Sequence, residues 1–273
     1  MPLTDYSITF NGLTIGAGTS FPIVAIEGLG GTAPLRIQDD NRGYIDGSYT
    51  GRDFYDLRTV YIDVIVLGSN SVSAQTNYKT LQQAFAPQST GYYNDPTGYT
   101  PSSEQLQLFQ YRLNANTGDK RMYGRSRGLV TPITPDFTYG FIRTRIQMSF
   151  PDPRYYDDVG TTVTGTIVGL TNNGWAISCP TINVTTSSTS GEITNGTLGS
   201  PNDGFTHMYF SNVASGQQLS VDLLSRIVYY QGVPARNVLT AGSNGWLDLN
   251  PLSSSTWRSS IGSMSIVYRN AYV

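Results

Sequence analysis

Cysteine is almost missing from this chain: Cys179 is the only one in 273 residues. A single thiol cannot close an internal disulfide, which excludes a disulfide-stapled secreted scaffold and any cysteine-rich zinc module. Histidine is as scarce, with His207 alone, so a zinc site or multi-histidine iron site is not expected. Charged residues make up 13%, against a usual ~25%. Of the 17 basic residues only Lys79 and Lys120 are lysines, and the rest are arginines. Arginine suits bidentate, partly buried pairing and lysine suits open solvated surface, so this balance points to a surface that partners cover. The net charge of −2 supplies no basic excess for counterion release, and nucleic-acid binding is not expected. Long apolar runs are missing too. Val64-Ile65-Val66-Leu67 is typical of the longest, far below the ~18 residues of a membrane-spanning helix. Residues 1–6 carry neither a basic segment nor an apolar stretch, and the expectation is a chain made in the cytosol without a secretion signal.

Glycine, serine, threonine, asparagine and tyrosine take the place of the missing charge, with 29 Gly and 19 Tyr. That composition suits strands and tight turns and argues against helical bundles. A mass of 29.8 kDa allows one large all-β domain or two ordinary ones. Period-two alternation runs almost throughout. In residues 57–67, Val60, Ile62, Val64 and Val66 fall on one face, with Tyr61, Asp63 and Ile65 on the other, which predicts a long strand with one buried face. Residues 141–150 repeat the pattern, with Ile142, Thr144, Ile146, Met148 and Phe150 opposed to Arg143, Arg145, Gln147 and Ser149. Shorter alternating stretches lie near 6–10, 22–27, 105–113, 163–168, 206–210, 219–222, 226–230 and 263–268. The dipeptides Asp46-Gly47, Asn173-Gly174, Asn195-Gly196, Asp203-Gly204 and Asn244-Gly245 signal turns.

One segment departs from this period. Residues 71–86 place Tyr78, Leu81 and Phe85 at helical spacing, with serine capping candidates before them and Pro87 after. The expectation is a single amphipathic helix of about three turns, docked on a sheet. A domain boundary is expected at Phe150-Pro151-Asp152-Pro153-Arg154-Tyr155-Tyr156-Asp157-Asp158, because Pro151 and Pro153 cannot sit in a central strand. Residues 1–155 would form a β-rich domain with one helix, and 156–273 a β-sandwich; the run at 185–190 reads as a polar loop.

Motifs that could carry chemistry are weak. His207 lies inside the alternating Phe205-Thr206-His207-Met208-Tyr209-Phe210, and no G-x-S-x-G elbow accompanies it. Gly28-Leu29-Gly30-Gly31-Thr32-Ala33 matches G-x-G-x-x-A, but the extended reading of Pro34-Leu35-Arg36-Ile37-Gln38 denies it the helix a dinucleotide site needs. Asp39-Asp40-Asn41 and Asp46 do not follow calcium-loop spacing. Asp152, Asp157 and Asp158 invite a glycosidase pair, yet they sit at a proline-rich junction. Trp175, Trp246 and Trp257 are candidates for a sugar-stacking platform; the competing reading makes them core plugs. No catalytic set, metal site or cofactor is expected.

The order of landmarks resembles a known family. Ile26-Glu27-Gly28-Leu29, Leu35-Arg36, Asp46-Gly47, Arg58 opening a Val/Ile strand, Leu81-Gln82-Gln83-Ala84-Phe85 and Asp152-Pro153-Arg154-Tyr155-Tyr156 follow one another as in distal tail proteins of long, non-contractile-tailed bacteriophages. The second half adds Asn172-Asn173-Gly174-Trp175, continuing to Pro180-Thr181-Ile182, then Gly216-Gln217-Gln218-Leu219, Gly245-Trp246-Leu247-Asp248-Leu249 and Ile266-Val267-Tyr268-Arg269-Asn270. A departure lies at Asn250-Pro251-Leu252-Ser253-Ser254-Ser255, where the family usually carries a Pro-Gly-x-Asn turn; a remodelled turn is expected. The chain leaves no room for an inserted carbohydrate-binding module.

The resemblance implies a mainly β structural virion protein of the tail tip or baseplate, assembled in the host cytoplasm, and not an enzyme. Its N-terminal domains would form a homo-hexameric ring, with galectin-like, jelly-roll β-sandwiches pointing outward. Implied partners are the last tail-tube ring of major tail protein, the tail hub or tail-associated protein, and receptor-binding proteins or side fibres. It implies no membrane insertion and no nucleic-acid contact beyond the tail lumen. In such a ring Arg58, Arg143 and Arg145 are candidate subunit-interface residues. Arg143 and Arg145 share a strand face, where they either meet solvent or pair with carboxylates of a neighbouring subunit. The alternative from another class is a carbohydrate-binding receptor-recognition tail protein built on the three tryptophans.

Overall fold

Two hydrophobic clusters organise the chain, and each belongs to its own unit. A computed structural model describes residues 3–41, 46, 48–51, 53–87, 106–132, 134–200 and 202–273. One unit comprises Met1–Tyr155 with Val273, and the other Tyr156–Tyr272.

The first unit is built on an antiparallel sheet. Its strands run in the order Leu13–Gly16, Ser7–Phe10, Gln107–Arg112, Lys120–Val130, Phe141–Phe150, Arg58–Leu67 and Ile23–Glu27. The Arg58–Leu67 strand alternates strictly between buried and half-buried positions. Its inner residues Val60, Ile62, Val64 and Val66 are at most 1% exposed. The one α-helix among the described residues, Ser71–Phe85, covers that face. Asn70, not a serine, caps it: its side chain accepts from the Ser73 N–H at 2.9 Å, and the Ser73 hydroxyl accepts from the Asn70 N–H at 3.2 Å. Ala86 is extended, as the residue before Pro87 prefers. Ala74, Leu81 and Phe85 enter the core, where Phe85 stacks on Phe10 at 5.1 Å between ring centroids.

Two glycines are dictated by close approach. A Cβ on Gly28, whose φ is +83°, would lie 2.2 Å from the Thr59 carbonyl oxygen. On Gly124 it would lie 2.4 Å from the Phe150 ring, which packs edge-on to Phe109. At the sheet edge the Ile23–Glu27 strand is bulged between Ile23 and Ala25, and this leaves Val24 outside the ladder, 59% exposed. Between this strand and Arg58 the chain forms narrow two-stranded ribbons, Leu35–Arg36 with Phe54–Tyr55 and Asp39–Asn41 with Ser48–Thr50. Gly47, of the turn signalled at Asp46-Gly47, lies outside the described residues.

The second unit is a β-sandwich. One sheet holds Thr161–Gly165, Gly262–Tyr268, Thr181–Thr186, Gln218–Asp222, Ile227–Tyr230 and Val233–Pro234. The other holds Ile167–Asn172, Ser253–Ser259, Ser190–Thr194 and His207–Ser211. Val168, Leu170, Ile193, Phe210 and Trp257 from the smaller sheet share one core with Ile182, Val184, Leu219, Val221, Met264 and Ile266 from the larger.

Two expectations are corrected. The alternation at 163–168 is two strands broken at Thr166. Thr185 and Thr186 belong to a strand, and Thr186 is buried with its hydroxyl donating to the Ala214 carbonyl at 2.5 Å, so only Ser187, Ser188 and Thr189 form the loop before the strand that starts at Ser190. The serine-rich segment after Pro251 is already the strand Ser253–Ser259 from Ser253 onward.

Truncating Phe85 to alanine removes a fully buried, stacked ring. The expected cost is about 3–5 kcal/mol of first-unit stability, read from the midpoint of urea unfolding.

Candidate functional site

The predicted arginines of the first unit fall in different places on its sheet. Arg58 begins the strand that lies under the helix, yet its side chain turns inward and is 1% exposed. Its Nη1 donates to the carbonyls of Gly28 at 2.9 Å and Gly31 at 2.7 Å, with Leu29 at 3.4 Å, and its Nε donates to the Pro153 carbonyl at 3.0 Å. Burial lowers its pKa from the ordinary arginine value, against the opposing influence of Tyr111 and Tyr155 beside it. As a subunit-interface residue it is therefore corrected: no neighbour can reach this guanidinium. The same contacts explain the glycine-rich motif. Residues 28–31 present carbonyls to a cation, the reverse of the N–H cradle that binds a phosphate.

Arg145 and Arg143 do share a strand face, but among the described residues only Arg145 is answered. It pairs with Glu27, lies 3.4 Å from Asp63, and sits over the Tyr61 ring at 4.8 Å. The register makes this possible, because Arg145 is directly opposite Asp63 on the neighbouring strand. Arg143 is opposite Ile65, is exposed, and makes no ion pair among the described residues. At the same end of the sheet an open apolar cavity of about 420 Å³ is lined by Tyr78, Thr131, Pro132, Thr134, Phe137, Phe141 and Ile142. Phe141 and Tyr139 stand out there, 47% and 76% exposed. Sequence periodicity gave no sign of this cavity, since Pro135–Tyr139 is a 3₁₀ turn and not a strand.

The tryptophans separate. Trp257 is fully buried, its Nε1 donating to the Ser255 hydroxyl at 3.0 Å, and Trp246 is half-buried against the sandwich core. Both are corrected to core plugs, and a three-tryptophan platform does not exist. Trp175 is 57% exposed and meets Tyr272 edge-on at 4.7 Å.

His207 is a strand residue whose partners the sequence did not announce. It is fully buried, with Nδ1 3.0 Å from Glu192 and Nε2 3.0 Å from Asp203. Asp203 also accepts from the N–H groups of Thr197 at 2.7 Å and Phe205 at 2.9 Å, and Glu192 accepts from the Gly199 N–H. Burial alone would lower the imidazole's pKa; the bonds to Asp203 and Glu192 outweigh it and raise the value. Hydrogen bonding to His207 in turn holds Asp203 down at about 2. With both nitrogens engaged, this histidine is a structural cation and has none left over for acid–base catalysis. Among the described residues no cluster of His, Cys, Asp or Glu could hold a metal ion.

No protein-family model and no curated protein matches the sequence. Solved structures do match. The SPP1 Dit (gp 19.1) protein, described as a paradigm of the hub adsorption apparatus in phages infecting Gram-positive bacteria, superposes with a TM-score of 0.70. That alignment covers 98% of this chain and 99% of the other, at 14% identity. This chain shares the Dit fold. Structures of the phage p2 baseplate in its activated conformation, with Sr and with Ca, contain chains that match at TM-scores of 0.52 and 0.51. Each covers 97% of this chain at 8% identity. At such identities the likeness to Dit is one of fold, and it extends through both units.

Two outcomes follow. Arg58→Leu removes the donor shared by the carbonyls of Gly28, Leu29, Gly31 and Pro153 and should destabilise the first unit by roughly 2–5 kcal/mol, with Arg58→Lys only partly restoring it because an ammonium lacks the guanidinium fork; chemical unfolding reads both. The carboxylate–imidazolium–carboxylate group stabilises the second unit fully below the unfolded histidine value of about 6.5. That contribution should fade as pH rises through the raised folded value. On the acid side Asp203's contribution holds above the unfolded value of about 3.9 and disappears as pH falls toward about 2. Melting temperature across pH should therefore fall on the alkaline limb in the parent, and His207→Gln should flatten that limb.

Proposed function

We propose that this chain is a structural component of a bacteriophage tail tip, forming a homo-hexameric ring that joins the last tail-tube ring to the baseplate hub. The first unit serves as the ring wall, and the sandwich is the outer platform for receptor-binding proteins or side fibres. The observation that carries this reading is the likeness to the Dit chain over 98% of the sequence and both units. Three features support it. The low-charge, arginine-biased composition suits an extensively covered surface. Arg143 is exposed, and apolar side chains such as Tyr139 stand uncovered on the first unit. The single histidine is locked between carboxylates, which speaks for a non-enzymatic role. The protein would reside in the virion tail; no helix among the described residues is long and apolar enough to cross a membrane.

A second reading, receptor glycan binding by the sandwich, keeps only Trp175 as an exposed stacking surface. It would sit on the same ring and does not compete with it.

Size-exclusion chromatography with light scattering on the full chain should give a closed species of about 180 kDa, six chains, and ring particles with sixfold symmetry by electron microscopy. A monomer at tens of micromolar, or a trimer, would refute the ring.

A further inference from the structure

Between the strands Ser190–Thr194 and His207–Ser211 the chain leaves the sandwich and returns, and Thr194 pairs with His207 at the point of exit. The excursion, residues 195–200 and 202–206, is a compact loop with its ends together. It holds its own shape. Asp203 accepts from the N–H groups of Thr197 and Phe205. The Ser200 N–H donates to the Thr197 carbonyl and the Asp203 N–H to the Ser200 carbonyl, each at 3.2 Å. At the stem the Thr206 N–H donates to the Asn195 side chain at 2.9 Å.

A different set of contacts fastens this loop to the sheet, and it is polar. The loop contributes no residue to the apolar core of the sandwich, and its Leu198 and Phe205 are 37% and 51% exposed. It lies over the outer face of the smaller sheet. Ile193, Met208 and Phe210 point into the core there, and Glu192, Thr194 and His207 alternate away from it. Those three are nevertheless at most 4% exposed, because the loop covers them. The fastening contacts are His207 with Asp203, the Gly199 N–H on Glu192, Arg258 Nη1 on the Gly196 carbonyl at 3.0 Å, and the Asn244 amide on the Phe205 carbonyl at 2.8 Å.

His207 is the hinge of this arrangement. The charged and titratable groups around it are Glu192 on the adjacent strand, Asp203 on the loop, Tyr209 stacked on its ring at 5.8 Å, and Arg258, whose strand position is opposite Thr194. Asp203 is held down at about 2 and Tyr209 is raised above the ordinary phenol value, so neither changes charge near neutral pH. As an imidazolium, His207 donates to both carboxylates. The neutral ring has one N–H for two acceptors, and one carboxylate then faces a lone pair. Glu192 is fixed in a strand; Asp203 rides on the loop and can leave.

We propose that residues 195–200 and 202–206 form a flap that opens as a unit when His207 loses its proton, while the sandwich beneath stays folded. The closed flap binds the proton more tightly than the open one, in which the imidazole meets water. Closure is therefore fully favoured below about 6.5 and is lost as pH rises through the closed-state value. The inference concerns one chain and holds for any copy number.

Hydrogen–deuterium exchange of the full chain, read by mass spectrometry and corrected for the intrinsic rate, tests it. Because the chain has one histidine, ¹³C labelling at Cε1 gives one imidazole signal to titrate beside it. The series runs from about pH 5.5 to one unit beyond the midpoint of that signal. Protection of peptides spanning 195–206 should fall at least tenfold and level off once the signal has titrated. Protection of the strands Thr181–Thr186 and Gly262–Tyr268 should stay within about threefold. In His207→Gln the flap should be weakly protected at every pH, with those strands unchanged. Flap protection that stays level while the signal titrates would overturn the proposal. So would a loss shared equally by the strands, a signal that does not titrate before the sandwich unfolds, or a folded His207→Gln chain that keeps the parent's pH dependence. Should that variant not fold, the parent series decides alone.

Discussion

The first unit depends on a buried arginine that binds main chain only. Arg58 gathers the carbonyls of Gly28, Leu29, Gly31 and Pro153, and so fixes two chain segments to the start of one strand. Buried carbonyls require donors, and the guanidinium supplies several in one planar fork. Its position sets where the ribbon departs and where the long Phe141–Phe150 strand hands over to Pro151 and Pro153. A charge in a low-dielectric interior is costly unless its donors are used, and here Nε and Nη1 both bond while Nη2 finds no partner among the described residues.

The second unit solves a different problem with a cation of its own. Residues 195–200 and 202–206 carry few apolar anchors, and the N–H groups of Thr197, Gly199 and Phe205 are directed at Asp203 and Glu192 beside His207. Asn244 completes the arrangement, accepting from the His207 N–H at 2.7 Å and donating to the Phe205 carbonyl at 2.8 Å. Both units thus hold their least regular loops by polar groups and keep apolar packing for the sheets.

Which parts could be read in the sequence follows from this division. Arg58–Leu67, Phe141–Phe150 and the Ser71–Phe85 helix were legible because one side of each is apolar with an unbroken period. Lys120–Val130 was not, since its inner positions include Gly124 and Ser126, chosen to fit Phe150 and the Phe85 carbonyl. Ser253–Ser259 hid for a similar reason, with Trp257 as its one large apolar residue. Side-chain fates were less legible than strands. Arg58 and Arg145 have the same chemistry, and only tertiary neighbours send one inward to carbonyls and the other to surface carboxylates. Trp257 and Trp175 differ likewise: the one is sealed in the core while the other stands in water.

The bulge at Val24 bears on how such a chain can stop growing. A flat, fully laddered edge would offer its N–H and C=O groups to any passing strand, and addition of strand upon strand has no natural end. Interrupting the Ile23–Glu27 edge between Ile23 and Ala25 removes that template on one side of the sheet. Any contact on that side would be left to side chains with fixed shape and charge, which admit fewer angles of approach. A protein-sized object of definite copy number needs that restriction more than it needs strong adhesion, because an edge that accepted every strand would yield fibres in place of a closed particle.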